Sequence, residues 1–338
     1  MDDARVRVSD IGEFDLIDRL TDSLPVAART SGELGLGIGD DAAIWNPAPG
    51  HSVAITTDAL VEHVHFRLDW TDWTSLGHKM LAVNMSDIAA MGARPHIATI
   101  VLGLTGKELV ADIKSLYQGL GSLAAMHNVV IAGGDVVRVP NDVTLSVTLL
   151  GGVRPGQAMT RTGARLGDLV VVSGTLGASA AGMALIERRM DPGTSGPLLI
   201  AAHLRPNPRI ALGLVLHGLG VTAAMDLSDG LMGDLPRILT ASGVSAAIEL
   251  DQVPIAPAVR ALFPDEFEQF ATRGGEDYEL LLTVSRNRFE ELRAQAATIG
   301  ASLTSIGRIV PADPASDLTL LRNGVPVYSH QGAFDHFG

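Results

Sequence analysis

Hydrophobic positions recur with helical or strand periodicity along most of the chain, and they predict elements of both kinds. Phe14, Ile17 and Leu20 share one helical face in residues 11–22, so this segment is predicted as a helix. By the same criterion, further helices are predicted at 73–91, 109–127, 178–188, 231–242 and 286–299. Apolar and β-branched runs predict strands at 42–45, 51–57, 96–104, 129–132, 143–151, 169–173, 221–225 and 278–284.

The order of these elements predicts an α+β (mixed α/β) fold. Several strands follow one another directly, which argues against a doubly wound sheet with a helix after every strand. Residues 152–167 contain Gly, Pro and Arg in place of apolar periodicity, so a domain boundary is predicted there. A chain of 338 residues is long for one core, and we expect two domains, 1–151 and 152–338.

Composition and charge exclude several classes of protein. Hydrophobic residues make up 46% and charged residues 19%, as in a well-packed globular protein. The net charge of −13 argues against a nucleic-acid partner. Cysteine is absent, which excludes disulfides, a thiolate nucleophile and a zinc–thiolate site. Residues 1–10 lack the pattern of a signal peptide, and no apolar run approaches the ~20 residues that span a bilayer. These features predict a cytoplasmic protein without a membrane partner.

Aspartates stand next to glycines or hydroxyl residues where apolar runs end. The five clusters are 39–41 (GDD), 56–58 (TTD), 84–87 (NMSD), 133–135 (GGD) and 226–230 (DLSDG). Carboxylate and hydroxyl oxygens are ligands that Mg²⁺ takes, and Mg²⁺ binds phosphate. Taken singly, most of these aspartates would be interpreted as caps of a turn or a helix. Ser86 and Asp87 lie inside a predicted helix, where a buried Asp needs a partner.

Familiar phosphate and metal motifs are absent. A Walker loop fails because Gly106 and Lys107 are followed by Glu108, and residues 174–177 (GTLG) lack the dinucleotide-binding spacing. Residues 226–237 do not form an EF-hand, since Arg237 stands where the bidentate Glu belongs. His63 and His65 without a third histidine are more typical of a polar surface than of a zinc site.

The ordered set of motifs resembles the thiamine-monophosphate kinase family, within the superfamily of aminoimidazole ribonucleotide synthetase. The resemblance covers about residues 11–337. It rests on residues 37–41 (GIGDD), 57–58 (TD), 82–93 (AVNMSDIAAMGA), 133–135 (GGD), 160–164 (TRTGA), 226–230 (DLSDG), 274–279 (GGEDYE) and 334–337 (FDHF).

This resemblance implies a two-domain fold of the superfamily and a homodimer in which the N-terminal sheets pair. Residues 1–151 would bind metal and ATP and form the dimer, and residues 152–338 would complete the substrate site. ATP would phosphorylate thiamine monophosphate to thiamine diphosphate by direct in-line transfer, assisted by several Mg²⁺ ions. Two anionic phosphates must approach each other, so Mg²⁺ suits this chemistry.

The resemblance also implies a role for individual residues. Catalytic roles fall to Asp87, Asp135 and Asp229. ATP would contact Tyr117, Gly134, Asp135, Arg161 and Ser228. The thiamine moiety would contact His65, Glu276 and Phe334. The implied Mg²⁺ ligands are Asp41, Thr56, Thr57, Asp58, Asp87, Asp135, Asp226 and Asp229.

The same motifs occur in related families, most of which this sequence argues against. Selenophosphate synthetase and hydrogenase-maturation relatives use a cysteine or selenocysteine that this chain lacks. Aminoimidazole ribonucleotide synthetase is disfavoured by residues 334–337. A non-catalytic, acidic metal-binding protein is the alternative from a different class.

Overall fold

The computed structural model describes residues 3–313 and 316–327, which divide into two compact units. The first unit comprises Met1–Ile88 and Arg94–Pro155, and the second comprises Ala89–Ala93 and Gly156–Gly338. Both units combine helices with a sheet, so the predicted mixed α/β class is confirmed. The roles predicted for residues 1–151 and 152–338 stay predictions.

The first unit contains three helices and six strands among the described residues. The helices are α1 (Glu13–Ser23), α2 (Trp73–Ala90) and α3 (Val110–Met126). The strands are β1 (Leu34–Leu36), β2 (Ile44–Trp45), β3 (Ser52–Val61), β4 (Arg94–Leu104), β5 (Val130–Arg138) and β6 (Thr144–Val153).

A four-stranded sheet in the order β3-β6-β4-β5 forms the centre of this unit. Its β4 and β5 run parallel and the other pairs antiparallel. Residues alternate in burial along β6, as expected for a sheet with one covered face. Helices α2 and α3 pack at very short distance, because a Cβ on Gly77 would lie 1.8 Å from the Leu116 carbonyl oxygen.

The opposite face of this sheet is only partly covered. Leu34 and Trp45 of the β1–β2 hairpin pack against Ile97 at one end. Further along, Ile55 is 68% exposed and Val101 is 41% exposed. This sheet therefore leaves apolar side chains open to solvent in the single chain.

The second unit contains seven helices and seven strands among the described residues. The helices are α4 (Ala178–Glu187), α5 (Gly196–Leu204), α6 (Ile210–Leu216), α7 (Leu231–Ser242), α8 (Pro257–Leu262), α9 (Phe267–Arg273) and α10 (Phe289–Ala297). The strands are β7 (Leu169–Ser173), β8 (Val221–Asp226), β9 (Ser245–Glu249), β10 (Leu280–Val284), β11 (Leu303–Val310), β12 (Leu318–Arg322) and β13 (Val325–Val327).

These strands form a seven-stranded sheet in the order β13-β12-β9-β11-β7-β10-β8. Every residue of β10 is buried, and the register pairs Leu280 with Asp226 at the end of β8. Helix α7 packs Leu231, Leu235 and Ile238 into the main core of this unit. The sheet and α7 together fix the turn that joins β8 to α7.

Most segments predicted from periodicity are found within a few residues of their expected bounds, but β5 continues to Arg138, well beyond the predicted end at 132, and nine elements of the described residues were missed. These are β1, α5, α6, α8, α9, β9, β11, β12 and β13. Helix α5, for example, extends from Gly196 to Leu204, where no helix was predicted. Its sequence is apolar on all sides, so it carries no helical periodicity. No helix in the described ranges has both the length and the apolarity needed to cross a membrane.

Candidate functional site

Thr56 and Asp58 on β3 and Asp87 on α2 form the acidic group of the first unit. Side chains alternate along a strand, so Thr56 and Asp58 share the face of β3 that buries Leu60. The Thr56 hydroxyl donates a hydrogen bond to the Asp87 carboxylate. The backbone N–H of Asp58 donates to Asn84 Oδ1 at 3.0 Å, which ties β3 to α2. The structure thus brings three of the predicted metal ligands together.

The two carboxylates of this group repel each other. Burial, and after it the negative charge of Asp87, raise the pKa of Asp58 to about 6. A divalent cation shared by the two carboxylates would offset this repulsion. Carboxylate and hydroxyl oxygens are hard ligands of the kind that Mg²⁺ takes. The donor set of Thr56, Asp58 and Asp87 therefore fits Mg²⁺.

Thr57 and Asp135 lie apart from this group. The alternation of β3 directs Thr57 to the other face of the sheet, where its hydroxyl donates to the Val147 carbonyl at 3.0 Å. Asp135 is exposed on β5, paired with Val101. Strands β6 and β4 separate β5 from β3, a distance of roughly 14 Å across the sheet. Within one chain the structure does not bring Asp135 to Asp58, and its metal and ATP roles stay predictions.

Gly134 and Tyr117, two predicted ATP contacts of the first unit, also contribute to the packing of the fold. A Cβ on Gly134 would lie 2.0 Å from the Ile100 carbonyl oxygen, so only glycine lets β5 pair closely with β4 here. Tyr117 is 8% exposed on the packed face of α3, and burial raises its pKa. Neither packing role tests the predicted contact with ATP.

The remaining predicted residues of the first unit are Asp41 and His65. Asp41 is exposed in the turn after Gly39, which has a φ of 120° that only glycine adopts readily. His65 follows the end of β3, and its Nδ1 accepts the backbone N–H of Val61 at 3.1 Å. An accepting Nδ1 places the hydrogen of the neutral imidazole on Nε2.

In the second unit, Asp226, Ser228 and Asp229 lie in the turn between β8 and α7. Asp226 ends β8 and is 5% exposed, and Gly230 opens α7 with a φ of 85°. The fully buried carboxylate of Asp234, in the first turn of α7, accepts the backbone N–H groups of Ser228 at 3.0 Å and Asp229 at 2.9 Å. A buried side chain thereby fixes the backbone of two predicted site residues.

Asp234 was missed by the sequence reasoning. Burial raises its pKa to about 6, and its Oδ1 atom has no hydrogen-bond partner among the described residues. The sequence does contain a signal, because Asp234 falls between Leu231 and Leu235 on the apolar stripe of α7. A polar residue on a buried helical face needs a reason, and the turn above it provides one.

Asp229 also contacts a cation of the protein. The guanidinium of Arg237, one helical turn beyond Asp234, forms an ion pair with the Asp229 carboxylate. Arg237 is about half exposed, so it can be displaced into solvent. A metal ion at Asp229 would compete with this ion pair.

Residues 274–279 brace the same turn from the other side. The backbone N–H of Glu276 donates to the Ser228 carbonyl at 2.8 Å, and that of Tyr278 donates to the Leu227 carbonyl at 2.9 Å. Glu276 and Tyr278 have φ values of 66° and 50°, a left-handed conformation that costs about 1–2 kcal/mol for a residue other than glycine. The predicted strand at 278–284 therefore begins only at Leu280.

Two carboxylates, the buried Glu279 and the partly buried Asp277, hold this strained segment in place. Asp277 accepts the N–H groups of Gly177 at 2.7 Å and Ser179 at 3.1 Å, at the start of α4, and burial raises its pKa to about 7. Glu279 forms a two-point ion pair with Arg209. The alternating residues of the motif thus have separate tasks: Asp277 and Glu279 anchor the segment, while Glu276, with a side chain 25% exposed, reaches solvent.

Arg161 and Phe334 complete the predicted set. Arg161 is exposed in the segment before β7, which lies beside β8 because the Thr160 carbonyl accepts the N–H of Ala224 at 2.8 Å. Phe334 lies outside the described residues.

A further group that could hold a metal consists of Glu62, His63 and Asp142 in the first unit, among the residues that the structure describes. His63 and Asp142 are exposed and pair with each other at 3.1 Å. Exposed acidic groups are common without an ion, and we give this group no role.

Comparisons with known proteins agree on one family. The family model for AIR synthase related protein, N-terminal domain, matches residues 39–153, and that for the C-terminal domain matches residues 165–316. Thiamine-monophosphate kinase of Escherichia coli O157:H7 is 40% identical over 329 residues, which cover 96% of this chain and 98% of the relative.

Solved structures agree with this. The crystal structure of Thiamine-monophosphate kinase from Stenotrophomonas maltophilia K279a matches with a TM-score of 0.81 at 38% identity, over 94% of this chain and 98% of that one. The structure of AaThiL complexed with AMPPCP and TMP matches with a TM-score of 0.75 at 29% identity, over 96% of each chain.

Proposed function

We propose that this chain transfers a phosphoryl group from ATP to thiamine monophosphate. It belongs to the thiamine-monophosphate kinase family of AIR synthase related proteins. The product is thiamine diphosphate. A relative that binds AMPPCP, an analogue of ATP, together with TMP supports this pair of substrates.

The observation that carries the proposal is the group of Thr56, Asp58 and Asp87. Two adjacent carboxylates with a raised pKa at Asp58 are unfavourable in a protein without a bound cation. Such an arrangement is retained where a cation and its anionic ligand are part of the function. A polyphosphate substrate with Mg²⁺ meets this condition.

Mg²⁺ would be held by the acidic groups of each unit. In the first unit these are Thr56, Asp58 and Asp87, and in the second unit they are Asp226 and Asp229. The family resemblance adds Asp41, Thr57 and Asp135. When bound, Mg²⁺ neutralises phosphate charge and stabilises the charge that develops during phosphoryl transfer.

The protein's own residues bind and orient the two phosphates. Asp234 and the segment 274–279 keep the turn at Ser228 and Asp229 rigid, so the predicted ATP contact at Ser228 is preorganised. The exposed guanidinium of Arg161 is free to grip a phosphate from the protein surface. A phosphate monoester is already ionised at neutral pH, so the acceptor needs no strong general base.

Direct in-line transfer follows from this chemistry, and a phospho-enzyme is not expected. The test is to incubate the protein with ATP labelled at the γ-phosphate, in the absence of acceptor. Label retained on the denatured protein would contradict direct transfer.

A homodimer that pairs the sheets of the first unit is supported by the open face of that sheet. Four of its side chains are large, apolar and more than 40% exposed: Val53, Ile55, Val101 and Val137. Large apolar side chains exposed on one face of a sheet are typical of an interaction site. The Ile55→Lys variant should be monomeric in analytical ultracentrifugation, whereas the wild type should sediment as a dimer. The cytoplasmic location stays a prediction.

The decisive test of the activity uses the purified protein with ATP and Mg²⁺. Thiamine monophosphate and formylglycinamidine ribonucleotide are supplied separately, and products are resolved by chromatography. Thiamine diphosphate should form, and Asp229→Asn should abolish it. The matched control is Asp22→Asn, whose carboxylate is 86% exposed and remote from the motifs. Turnover of the ribonucleotide alone would favour aminoimidazole ribonucleotide synthetase, and no turnover of either would favour a non-catalytic metal-binding protein.

A further inference from the structure

His203 is a buried histidine that neither the sequence motifs nor the family resemblance singles out. It lies in the last turn of α5 and is 6% exposed. Its Nδ1 atom is 3.1 Å from Glu276 Oε2 and 3.1 Å from the Ser179 hydroxyl oxygen. Glu276 is the residue expected to contact the thiamine moiety, so the surroundings of its carboxylate bear on substrate recognition.

The donor and acceptor roles in this contact are fixed by chemistry. An ionised carboxylate only accepts hydrogen bonds, so the Nδ1 atom that faces Glu276 must carry a hydrogen. The Ser179 hydroxyl oxygen can accept from the same N–H group. The imidazole of His203 is therefore held in one tautomer at Nδ1 and in one orientation.

These residues close a ring of hydrogen bonds. The Ser179 hydroxyl contacts His203, and the Ser179 backbone N–H donates to Asp277 Oδ1 at 3.1 Å. Asp277 follows Glu276 in the chain, and His203 contacts Glu276. Both the backbone and the carboxylate of the segment are thus tied to the first turn of α4. Such closed networks hold a side chain in one orientation before a ligand arrives.

The close packing of α4 and α5 makes the ring possible. A Cβ on Gly182 of α4 would lie 2.0 Å from the Leu199 carbonyl oxygen of α5, so only glycine permits this approach. Ser179 precedes Gly182 by three residues, and His203 follows Leu199 by four, about one helical turn in each case. The two helices run in opposite directions at this point, which brings Ser179 and His203 together.

We propose that His203 is a positioning residue that orients the Glu276 carboxylate towards the cationic thiazolium of thiamine monophosphate. This inference rests on the proposed function. The Glu276 side chain is 25% exposed and can meet a ligand, whereas the His203 side chain is 7% exposed and supports it from behind. A carboxylate already fixed in orientation loses less conformational freedom on binding a cation.

The experiment compares His203→Leu and His203→Asn with the wild type. Leucine removes the donor at similar size, and the asparagine amide presents an N–H group close to where Nδ1 lies. The control is His217→Leu in the same unit, because the buried Nδ1 atom of His217 has no hydrogen-bond partner among the described residues. Initial rates give kcat and the KM values for thiamine monophosphate and for ATP, and circular dichroism reports folding.

We expect His203→Leu to raise the KM for thiamine monophosphate about three- to tenfold, the factor for ordering one additional side chain on binding. Its kcat and its KM for ATP should change less than about twofold, since the contact is the same in ground and transition states. His203→Asn should restore most of the affinity, and His217→Leu should match the wild type.

The inference is overturned if His203→Leu keeps the wild-type KM for thiamine monophosphate, or if both KM values rise together. It is also overturned if asparagine restores nothing in a folded protein. These outcomes leave the proposed function intact, because the wild type still forms thiamine diphosphate. A wild type that forms none removes the proposed function and this inference with it.

Discussion

Replacing Asp58 by Asn should stabilise the metal-free protein while it removes activity. The pKa of Asp58 is raised from 3.8 to about 6, so its charged form is disfavoured in the folded state. A shift of roughly two pKa units corresponds to at most about 3 kcal/mol, and solvent screening of a half-buried group lowers this to about 1–2 kcal/mol. Asparagine keeps the shape and removes the repulsion with Asp87. The hydrogen bond from Asp58 to Asn84 is donated by the backbone N–H of Asp58, so the substitution of the side chain leaves it in place.

The sign of the pH dependence follows from the raised pKa. Between about pH 4 and pH 6 the folded protein binds the Asp58 proton more tightly than the unfolded chain does. The ionised Asp58 therefore reduces the stability of the folded protein by its full amount above about pH 6, and this destabilisation disappears as the pH falls towards about 4. Moving from about pH 8 to about pH 5 should stabilise the wild type by about 1 kcal/mol relative to Asp58→Asn.

The assay is urea unfolding followed by tryptophan fluorescence, with a chelator present. All three tryptophans, Trp45, Trp70 and Trp73, lie in the first unit, so the signal reports the unit that contains Asp58. Asp22→Asn is the control for the loss of one exposed charge. Added Mg²⁺ should stabilise the wild type and have a smaller effect on Asp58→Asn.

The reasoning is refuted if metal-free Asp58→Asn is no more stable than the wild type at about pH 8. It is refuted equally if the advantage of the variant does not shrink at about pH 5. Full phosphoryl transfer by Asp58→Asn would instead remove Asp58 from the metal ligands and leave the electrostatic argument standing.

Three further predictions concern the supports of the site in the second unit. Asp234→Ala removes the acceptor of two backbone amides and should destabilise the protein by about 2 kcal/mol; hydrogen exchange in the β8–α7 turn should accelerate, and unchanged exchange would contradict its role. Gly182→Ala should cost about 1–3 kcal/mol because its Cβ would approach the Leu199 carbonyl oxygen. Gly32→Ala, with nothing nearby, should change the unfolding free energy by less than about 0.5 kcal/mol, and equal effects would refute the packing argument. Asp277→Ala should destabilise the start of α4 by about 1–2 kcal/mol, measured by circular dichroism in urea; a wild-type midpoint would show that Asp277 is not an anchor.

The repulsion at Asp58 and the strain at Glu276 illustrate a common cost of function. Both reduce the stability of the ligand-free chain, and both occur at residues implicated by the family resemblance. Local rules of stability are expected to fail at functional sites and to hold elsewhere. The supports of these sites, the buried Asp234 and the partly buried Asp277, contribute hydrogen bonds in compensation.

Much of the site could be predicted because its residues lie in compact local motifs. Thr56, Asp58 and Asp87 are among the residues expected to hold Mg²⁺, and the structure brings these three together. The resemblance to the thiamine-monophosphate kinase family is confirmed. The predicted roles of Tyr117 and Arg161 stay predictions, since neither side chain has a structural feature that identifies a ligand.

The supporting residues could not be predicted in the same way. His203 lies about 70 residues before Glu276 in an apolar helix, and no local pattern links the two positions. In the sequence, Asp234 is recognisable only as a polar residue on a buried helical face. That position does not reveal which backbone groups its carboxylate accepts. Hydrogen bonds between distant segments depend on tertiary packing, and one sequence contains no record of that packing.

By itself, the sequence determined the mixed α/β class, the longer helices and strands with clear periodicity, the absence of cysteine chemistry, and the set of carboxylates at the ends of elements. It could do so because periodicity and residue type are local properties. Only the tertiary structure decided that Thr56 and Asp58 share one face of β3 while Thr57 faces the other way, and that Asp135 lies on the opposite edge strand. The register of a sheet and the approach of two helices are set by contacts between distant residues, and these contacts decide which side chains meet.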